Sequence, residues 1–381
     1  MNILHVTPYF YGAWAYGGIP RLSWHLAAAQ AALGHTVEAV TTDACDAERR
    51  LDPGDYEREG VRVRVYRNFS NALAYRLQIF WPLGIGAERE RIRDYDIVHL
   101  HGHRNFHNSL MARYALAAGR PFVLMPNGTL VNIERRRALK WGFDLLLGRK
   151  QAARASGFIA VSEAERAQML GLSVPAAKIR VIPNGVEMDC DPAGLSFKRE
   201  HGIAGDYLLY LGKITPRKGI DHIVRALPFI PDGKLILVVA GNDMGYKREL
   251  IRLAAVLGVE HRVRFTGLVT GPMKAAAYRE ALYTVYAGRD EIFGLVPWES
   301  ILCGTPVIVA DDCGCGEWIR TAGAGRLVPY GDPRALAAAI LDRDPERDRA
   351  HVARGAAFCR ERLNWARVAA EMVEYYQEVL G

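Results

Sequence analysis

Short apolar runs alternate with helix-like segments along the whole chain, and this pattern predicts a parallel α/β protein. In the first half, strands are predicted at 2–8, 36–42, 61–66, 96–101, 121–126, 157–161 and 179–182. After about residue 206 the alternation restarts, with strands predicted at 207–213, 234–240, 262–266, 283–287, 305–310 and 326–329. Strands that alternate with helices form parallel sheets covered on both faces. Two such series predict two doubly wound, Rossmann-like domains facing each other across a cleft.

The length of the chain and one loop-like segment indicate where the two domains divide. At 381 residues the chain is too long for one ordinary core. The segment from Pro183 to Ile203 is rich in Gly, Pro and Asp and reads as the linker. We therefore expect an N-terminal domain over 1–185 and a C-terminal domain over 186–363. The region 345–381 predicts closing helices, the last with packing residues at helical spacing: Trp365, Val368, Met372, Tyr375, Tyr376 and Val379.

Composition narrows the class of protein without naming a partner. Half of the residues are apolar and 24% are charged, which is ordinary for a globular protein. The net charge of +7 favours anionic partners such as nucleotides, phospholipid headgroups or nucleic acid. The six cysteines are dispersed and form no CxxC pair, so reduced thiols and a cytoplasmic location are expected. No basic leader and no apolar run of membrane-spanning length is present, so we expect a soluble protein, at most peripheral to a membrane.

The run EIFGLVPWE, from Glu291 to Glu299, carries the most specific chemistry in the sequence. Seven residues separate its two glutamates, and the run ILCGTPVIVAD that follows reads as a helix end, a turn and a buried strand. We expect a turn at Phe293–Leu295, Pro297 at the first helical position and Glu299 in the first helical turn. Backbone N–H groups at a helix start favour a phosphate, and the flanking carboxylates can accept hydrogen bonds from sugar hydroxyls. The run predicts a nucleotide-sugar site.

Two glycine-containing loops follow the first strand of each series. Gly17 and Gly18 allow a backbone to approach a diphosphate or a sugar closely, although a flexible surface loop fits them almost as well. In the second series, Lys213, Arg217 and Lys218 lie at a strand-to-helix junction and suit a diphosphate leaving group. Each of these cations taken alone is more often a solvated surface charge. Of the three, Lys218 is the strongest phosphate candidate.

Histidines mark the predicted strand 96–101 and the segment after it. We expect His99 and His101 to point to opposite faces, with His101 at the strand end as an active-site candidate and His99 in the core. His103 and His107 follow and could form a small polar cluster. Metal binding by these four is weakly supported, because no carboxylate or cysteine accompanies them at ligand spacing.

Two charged segments allow more than one interpretation. Asp94 and Asp96 form a DxD string that could chelate a divalent cation, but acids before a strand more often form its polar entry. From Glu134 to Arg154, seven basic residues stand against two acids, with one apolar helical face. That pattern is typical of a solvated amphipathic helix, and a patch that meets anionic lipid or a phosphorylated acceptor is the alternative. No nucleic-acid-binding module is evident. The residues of the apolar face are Leu139, Phe143 and Leu146.

Taken in order along nearly the whole chain, these motifs resemble the retaining family-4 (group 1) glycosyltransferases, which have the two-domain GT-B fold. The glutamate pair before CGTPVIV is the most specific of them. The others are the Gly17–Gly18 loop, the strand with His101, VIPNGVE (181–187), the GK…RKG loop (212–219) and FTG (265–267). The resemblance also implies that the final helix, 364–381, returns to the first domain.

The resemblance assigns roles to individual residues. It implies that Glu299 holds the ribose, that Glu291 contacts the transferred sugar, and that backbone near Gly267 reads the base. The catalytic candidates are His101, Lys218 and Glu291. The donor-binding candidates are Gly17, Gly18, Lys213, Arg217, Gly267, Leu268, Phe293, Gly294, Leu295 and Glu299.

The implied activity is retaining transfer of a hexosyl group from a UDP- or GDP-linked sugar, without a metal or other cofactor. The implied acceptor is a hydroxyl of a glycan, a lipid-linked or a small molecule, as in surface polysaccharide synthesis at the inner membrane face, with no nucleic acid involved. A sugar-nucleotide epimerase on the same fold is the alternative, and a donor-binding protein without turnover is another. A Rossmann oxidoreductase is disfavoured because no G-x-G-x-x-G follows the first strand.

Overall fold

The computed structural model describes residues 1–130, 141–312 and 314–381, and it divides the chain into two compact units. The first unit comprises Met1–Gly185 and Leu363–Gly381, and the second comprises Val186–Arg362. Each contains one mainly parallel sheet, and all of the predicted strands are present. Several residues of the sequence-based interpretation lie outside the described part, namely 134–140 of the basic stretch with Leu139, the side chain of Leu146, and Cys313.

The sheet of the first unit has eight strands in the order β3-β4-β2-β1-β5-β6-β7-β8. Neighbouring strands are parallel except β3, which pairs antiparallel with β4. The sequence pattern did not predict β3, because this edge strand is polar and mostly exposed and so lacks an apolar run. The strands are β1 (Asn2–Val6), β2 (Thr36–Thr42), β3 (Gly54–Arg58), β4 (Val61–Tyr66), β5 (Ile97–His101), β6 (Phe122–Met125), β7 (Gly157–Ala160) and β8 (Ile179–Val181).

Helices cover this sheet, and polar side chains begin several of them. The Asn105 side chain accepts a hydrogen bond from the Asn108 N–H, and the Ser162 side chain accepts one from the Glu165 N–H. Such caps satisfy N–H groups that have no partner within the helix. Short 3-10 or π turns lie at Trp14–Tyr16, Leu73–Leu77, Ile85–Ala87, Ile92–Asp94, Asp144–Gly148 and Ala176–Lys178. The first five described helices are α1 (Gly18–Ala32), α2 (Glu88–Arg91), α3 (Phe106–Ala117), α4 (Arg149–Arg154) and α5 (Glu163–Gly171).

The second unit has a six-stranded, fully parallel sheet in the order β11-β10-β9-β12-β13-β14. Its strands are β9 (Tyr207–Leu211), β10 (Ile236–Ala240), β11 (Val263–Gly267), β12 (Tyr283–Tyr286), β13 (Val307–Ala310) and β14 (Arg326–Val328). Short 3-10 turns lie at Pro216–Lys218, Leu227–Phe229 and Glu260–Arg262. The helices of this unit are α6 (Phe197–Glu200), α7 (Ile220–Ala226), α8 (Lys247–Val256), α9 (Gly271–Arg279), α10 (Leu295–Leu302), α11 (Gly314–Ala322), α12 (Pro333–Leu341) and α13 (Pro345–Arg362).

The last helix, α14 (Trp365–Leu380), packs in the first unit against α1. The Tyr375 hydroxyl donates to the Lys178 carbonyl at 2.6 Å and accepts from the Phe158 N–H at 3.1 Å. The Trp365 ring leaves no room for a side chain at Gly185, where a Cβ would lie 2.3 Å from the indole. These contacts hold α14 against β7, against the residue that precedes β8, and against the segment around Gly185.

Both sheets reverse their strand order at one point, and the candidate residues cluster there. In the first sheet β2 and β5 lie on either side of β1, and in the second β10 and β12 lie on either side of β9. Helix connections then leave in opposite directions, which opens a crevice at the carboxyl ends of the strands. Gly17 lies in the segment after β1, and His101 is the last residue of β5. Lys218 lies in the loop after β9, and Glu291 lies in the loop after β12.

Candidate functional site

The candidate donor site of the second unit is built around the carboxylate of Glu291. Lys218 Nζ lies 2.5 Å from Oε1 of Glu291, and the Tyr286 hydroxyl donates to Oε2 at 2.8 Å. Lys218 Nζ is also 3.0 Å from the Tyr286 hydroxyl, and Arg217 Nη2 is 3.7 Å from Oε1. Two cations therefore lie at one carboxylate, an arrangement that suits a ligand carrying phosphate.

The environment of Glu291 keeps its carboxylate ionised. Burial acts to raise the pKa of Glu291, but the charges of Lys218 and Arg217 and the hydrogen bonds of Lys218 and Tyr286 hold it below its usual value. The same burial and the neighbouring carboxylate hold the pKa of Tyr286 well above its usual value, so the hydroxyl keeps its proton and donates. An ionised carboxylate can accept hydrogen bonds from a sugar hydroxyl and cannot donate any.

A glycine places Lys218 beside Glu291. The turn Pro216–Lys218 ends at Gly219, whose φ is +65°. A Cβ on Gly219 would lie 1.9 Å from the carbonyl oxygen of Ala287, so only glycine lets the loop after β9 lie against the end of β12. The two loops are also joined by a 3.0 Å hydrogen bond from the Arg289 N–H to the Arg217 carbonyl.

Helix α10 begins earlier than the sequence predicted. Its first residue is Leu295 and its N-cap is Gly294, at φ +73°, so Pro297 is the third helical residue and Glu299 falls in the second turn. The expectation that Pro297 opens the helix was wrong, because a left-handed glycine starts the helix and the first four N–H groups need no intrahelical partner. Phe293, Gly294 and Leu295 thus supply the turn and the helix N-terminus two residues from Glu291.

Glu299 is held from one side by two residues that the sequence did not single out. Lys274 Nζ lies 2.6 Å from Oε2 of Glu299, and the Tyr278 hydroxyl donates to the same oxygen at 2.8 Å. Both partners are on α9, the helix that follows the loop after β11. No local spacing relates α9 to EIFGLVPWE, since the contact depends on the packing of α9 against α10.

The residues proposed to read the base lie at the end of β11. Gly267 is the last residue of β11, with φ +78°, and its carbonyl accepts a 2.7 Å hydrogen bond from the Gly241 N–H. Leu268 follows with 62% of its surface exposed. Lys213 lies at the corresponding end of β9, where its carbonyl accepts from the Tyr210 hydroxyl at 2.8 Å. All three residues thus lie at the carboxyl edge of the sheet.

In the first unit, His99 and His101 lie on the same face of β5, and the expectation of opposite faces was wrong. Residues two apart on a strand share a face, since the side-chain period is two. The two rings stack with centroids 4.1 Å apart, and His5 of β1 stacks on both. His5 Nδ1 lies 2.8 Å from His101 Nε2, and His5 Nε2 lies 2.7 Å from Gln30 Oε1. The Tyr376 hydroxyl pairs with His99 Nδ1.

The His5, His99 and His101 stack has ligand atoms within 4.8 Å of one another, yet its geometry suits hydrogen bonding better than a metal ion. A histidine nitrogen binds a metal along a lone pair that lies in the ring plane. Hydrogen bonds already engage these lone pairs: His5 Nδ1 pairs with His101 Nε2, His5 Nε2 with Gln30, and His99 Nδ1 with Tyr376. Burial lowers the pKa of all three imidazoles, which keeps them neutral.

Other candidates of the first unit have defined places. Gly17, with φ +107°, is the N-cap of α1, and Gly18 is its first residue. His103 Nε2 lies 3.6 Å from Oδ1 of Asp144, which also pairs with Arg104 at 2.7 Å. The other predicted partner of this cluster, His107, is buried on α3 and has its nearest described polar contact, at 3.3 Å, with the neighbouring Asn108. Among the described residues, no helix is both long and apolar enough to cross a bilayer.

Comparison with known families and curated proteins gives consistent matches. Residues 16–189 match the family model described as Glycosyltransferase Family 4, and residues 196–351 match that described as Glycosyl transferases group 1. One relative is the D-inositol 3-phosphate glycosyltransferase of Thermobispora bispora, 32% identical over 252 residues. Another is the phosphatidyl-myo-inositol mannosyltransferase of Mycobacterium leprae, 37% identical over 236 residues. These matches cover 62% and 58% of this chain and only 59% of each relative.

Solved structures share the fold over nearly the full length. HepE of Anabaena, crystallised with UDP and glucose, has a TM-score of 0.74 at 19% identity and is matched over 99% of this chain and 100% of its own. Sucrose-phosphate synthase of Thermosynechococcus elongatus has a TM-score of 0.74 at 21% identity, over 99% and 98%. At these identities the likeness shows the fold alone, and it confirms the predicted GT-B class. Because the two family models together span most of both units, the chain belongs to the family 4 (group 1) glycosyltransferases.

Proposed function

We propose that the protein transfers a hexosyl group from a nucleoside-diphosphate sugar to an acceptor hydroxyl, with retention at the anomeric carbon. The observation that carries this proposal is the Lys218–Glu291 pair, 2.5 Å apart at the strand-order reversal of the second sheet. The α10 N-terminus begins four residues after Glu291. Cations, helix N–H groups and an ionised carboxylate together suit a ligand that is a sugar at one end and a diphosphate at the other.

The chemistry follows from where charge develops. As the bond from the sugar to the diphosphate breaks, negative charge grows on the leaving phosphate oxygens and positive charge on the sugar ring. Lys218 and Arg217, with the N–H groups at Gly294 and Leu295, stabilise the leaving group before it departs. Glu291 orients the sugar by accepting from its hydroxyls. In the proposed front-face reaction the donor phosphate accepts the proton of the acceptor hydroxyl, so no protein nucleophile is needed.

We propose UDP- or GDP-linked sugars as donors and a glycan or lipid-linked hydroxyl as acceptor. Support for UDP comes from HepE, which was crystallised with UDP and glucose. Support for a lipid-linked or inositol acceptor comes from the names of the two curated relatives. The proposed reaction needs no divalent metal, because side-chain cations are already in place at Glu291. The epimerase alternative gains no support, since both family models and both curated relatives are of transferases.

A cytoplasmic location with peripheral contact to an anionic membrane is part of the proposal. Within the described part of the basic stretch, Trp141 is 61% exposed, as suits a residue at a membrane interface. Flotation with vesicles of anionic and of zwitterionic phospholipid tests this contact. Binding to the anionic vesicles alone, weakened by salt, is the expected result, and no binding to either would contradict it.

A ligand panel followed by product analysis tests the proposed reaction. The melting temperature is measured with UDP, GDP, ADP, CMP and NAD, each with and without Mg²⁺, because a ligand of the folded state raises it by mass action. We expect a rise with UDP or GDP. NMR of the product formed from the corresponding sugar donor then reports the anomeric configuration. An inverted product overturns retention, and a shift with NAD alone overturns the donor site.

A further inference from the structure

The buried contact between Lys274 and Glu299 has no role in the family resemblance or in the proposed reaction. Lys274 is 8% exposed and Glu299 is 6% exposed, so both charges are almost fully removed from water. Ionised side chains are rarely buried without a partner, because desolvation costs more than most single contacts return. Here the two charges lie 2.6 Å apart, and Tyr278 adds a second donor to the carboxylate.

Both donors bind the same carboxylate oxygen. Lys274 Nζ and the Tyr278 hydroxyl reach Oε2 of Glu299, and among the described residues Oε1 accepts no hydrogen bond. A carboxylate held at one oxygen by two fixed donors has one orientation, with the second oxygen left for a ligand. The contact therefore holds Glu299 through Oε2, and no residue in the described ranges donates to Oε1.

The pair also removes a charge conflict. A lone buried carboxylate would repel a diphosphate donor, whereas the Lys274 ammonium cancels its charge. Lys274 is the fourth residue of α9, which starts directly after the loop of Gly267 and Leu268. The helix that carries the cation is thus continuous with the loop to which base recognition was assigned.

We propose that Lys274 is a positioning residue that makes Glu299 selective for the ribose of the donor nucleotide. This inference rests on the proposed function, and it adds a determinant of ribonucleotide selectivity. With Lys274 in place, Oε1 of Glu299 accepts from a ribose hydroxyl, and an analogue without that hydroxyl leaves a buried acceptor unpaired. Sites built in this way reject the deoxy analogue strongly. Without Lys274 the carboxylate loses its orientation and the selectivity falls.

Calorimetry of nucleotide binding separates this role from general stability. The dissociation constant is measured for UDP and GDP, and then for the 2′-deoxy and 3′-deoxy forms of the one that binds wild type. Each is measured for wild type, Lys274→Met, Lys274→Arg, Glu299→Gln and the exposed-lysine control Lys234→Met. Thermal unfolding of each variant confirms that it folds.

The result is the ratio of the deoxy to the ribo dissociation constant. We expect Lys274→Met to reduce this ratio about tenfold or more towards that of Glu299→Gln, Lys274→Arg to restore part of it, and Lys234→Met to leave it unchanged. A wild-type ratio in folded Lys274→Met overturns the inference while leaving the proposed function intact. Failure of wild type to bind either nucleoside diphosphate overturns the proposed function as well.

Discussion

Lys218 and Glu291 lie 73 positions apart in the chain and form an ion pair of 2.5 Å in the second unit. The pair joins the loops after the two strands on which the sheet order reverses. Both side chains are charged and partly exposed, 17% for Lys218 and 13% for Glu291, and neither belongs to the apolar clusters that pack on the sheet. This relationship makes the two side chains separable targets for substitution.

We expect Lys218→Met and Glu291→Gln to lower kcat for sugar transfer about 10²-fold or more, since each removes an electrostatic contact at the reacting centre. In the proposed reaction, Lys218→Met removes stabilisation of the leaving phosphate, whereas Glu291→Gln weakens the hold on the sugar. Both variants should keep a melting temperature close to that of wild type. Arg289→Met, which removes an exposed cation from the same loop, is the control. Near wild-type turnover in either variant would refute the assigned roles.

Metal independence can be tested on the DxD string. Asp96 precedes β5 and its carboxylate accepts from the Asn2 N–H at 2.8 Å, which places it at the amino end of the strand that carries His101 at its carboxyl end. We therefore expect full activity in excess EDTA and less than a twofold change in kcat/KM for Asp96→Asn. Loss of activity in EDTA that added Mn²⁺ or Mg²⁺ restores would contradict the proposed mechanism.

Buried histidines predict how stability depends on pH. Burial lowers the pKa of His5 and of His107 to about 4, and it lowers those of His99 and His101 as well. Between pH 6.5 and about 4 these histidines therefore bind more protons in the unfolded chain than in the folded protein. The free energy of unfolding consequently falls as the pH falls. Glu165 acts in the opposite sense, because burial raises its pKa to about 7, but it is one group against these four histidines and His103, whose pKa burial also lowers.

Replacing one of these histidines should make the free energy of unfolding depend less steeply on pH. His107 lies outside the candidate site. His107→Gln lowers the difference in bound protons between the unfolded and folded states by up to one, which lowers the slope of unfolding free energy against pH by about 1.4 kcal/mol per pH unit. Urea unfolding at pH 7.5, 6.0 and 5.0 gives the slope for wild type, His107→Gln and the exposed control His261→Gln. An unchanged slope in His107→Gln would show that this imidazole does not titrate as its burial predicts.

Sequence reasoning succeeded where the signal is local and failed where it depends on packing. The apolar runs of the parallel strands, such as β5 and β12, are local and were predicted, whereas the polar edge strand β3 has no such run. The face of His99 relative to His101 was misassigned because the period of two was applied wrongly. Lys274 could not be predicted as the partner of Glu299, since that contact depends on how α9 and α10 pack. The Tyr286–Glu291 contact spans only five residues, from the end of β12 into its loop, and was missed although it is local.

The hydroxyl of Tyr376 provides a test of how α14 is joined to the histidine stack. It pairs with His99 Nδ1 and accepts from Gln30 Nε2 at 3.3 Å, and all three side chains are fully buried. Tyr376→Phe keeps the ring but leaves His99 and Gln30 without this partner, which costs about 1–3 kcal/mol of unfolding free energy. Tyr114→Phe is the matched control, because the Tyr114 hydroxyl has no hydrogen bond among the described residues. Urea unfolding at pH 7.5 measures both, and equal free energies for the two variants would mean that this hydroxyl contributes nothing to the attachment of α14.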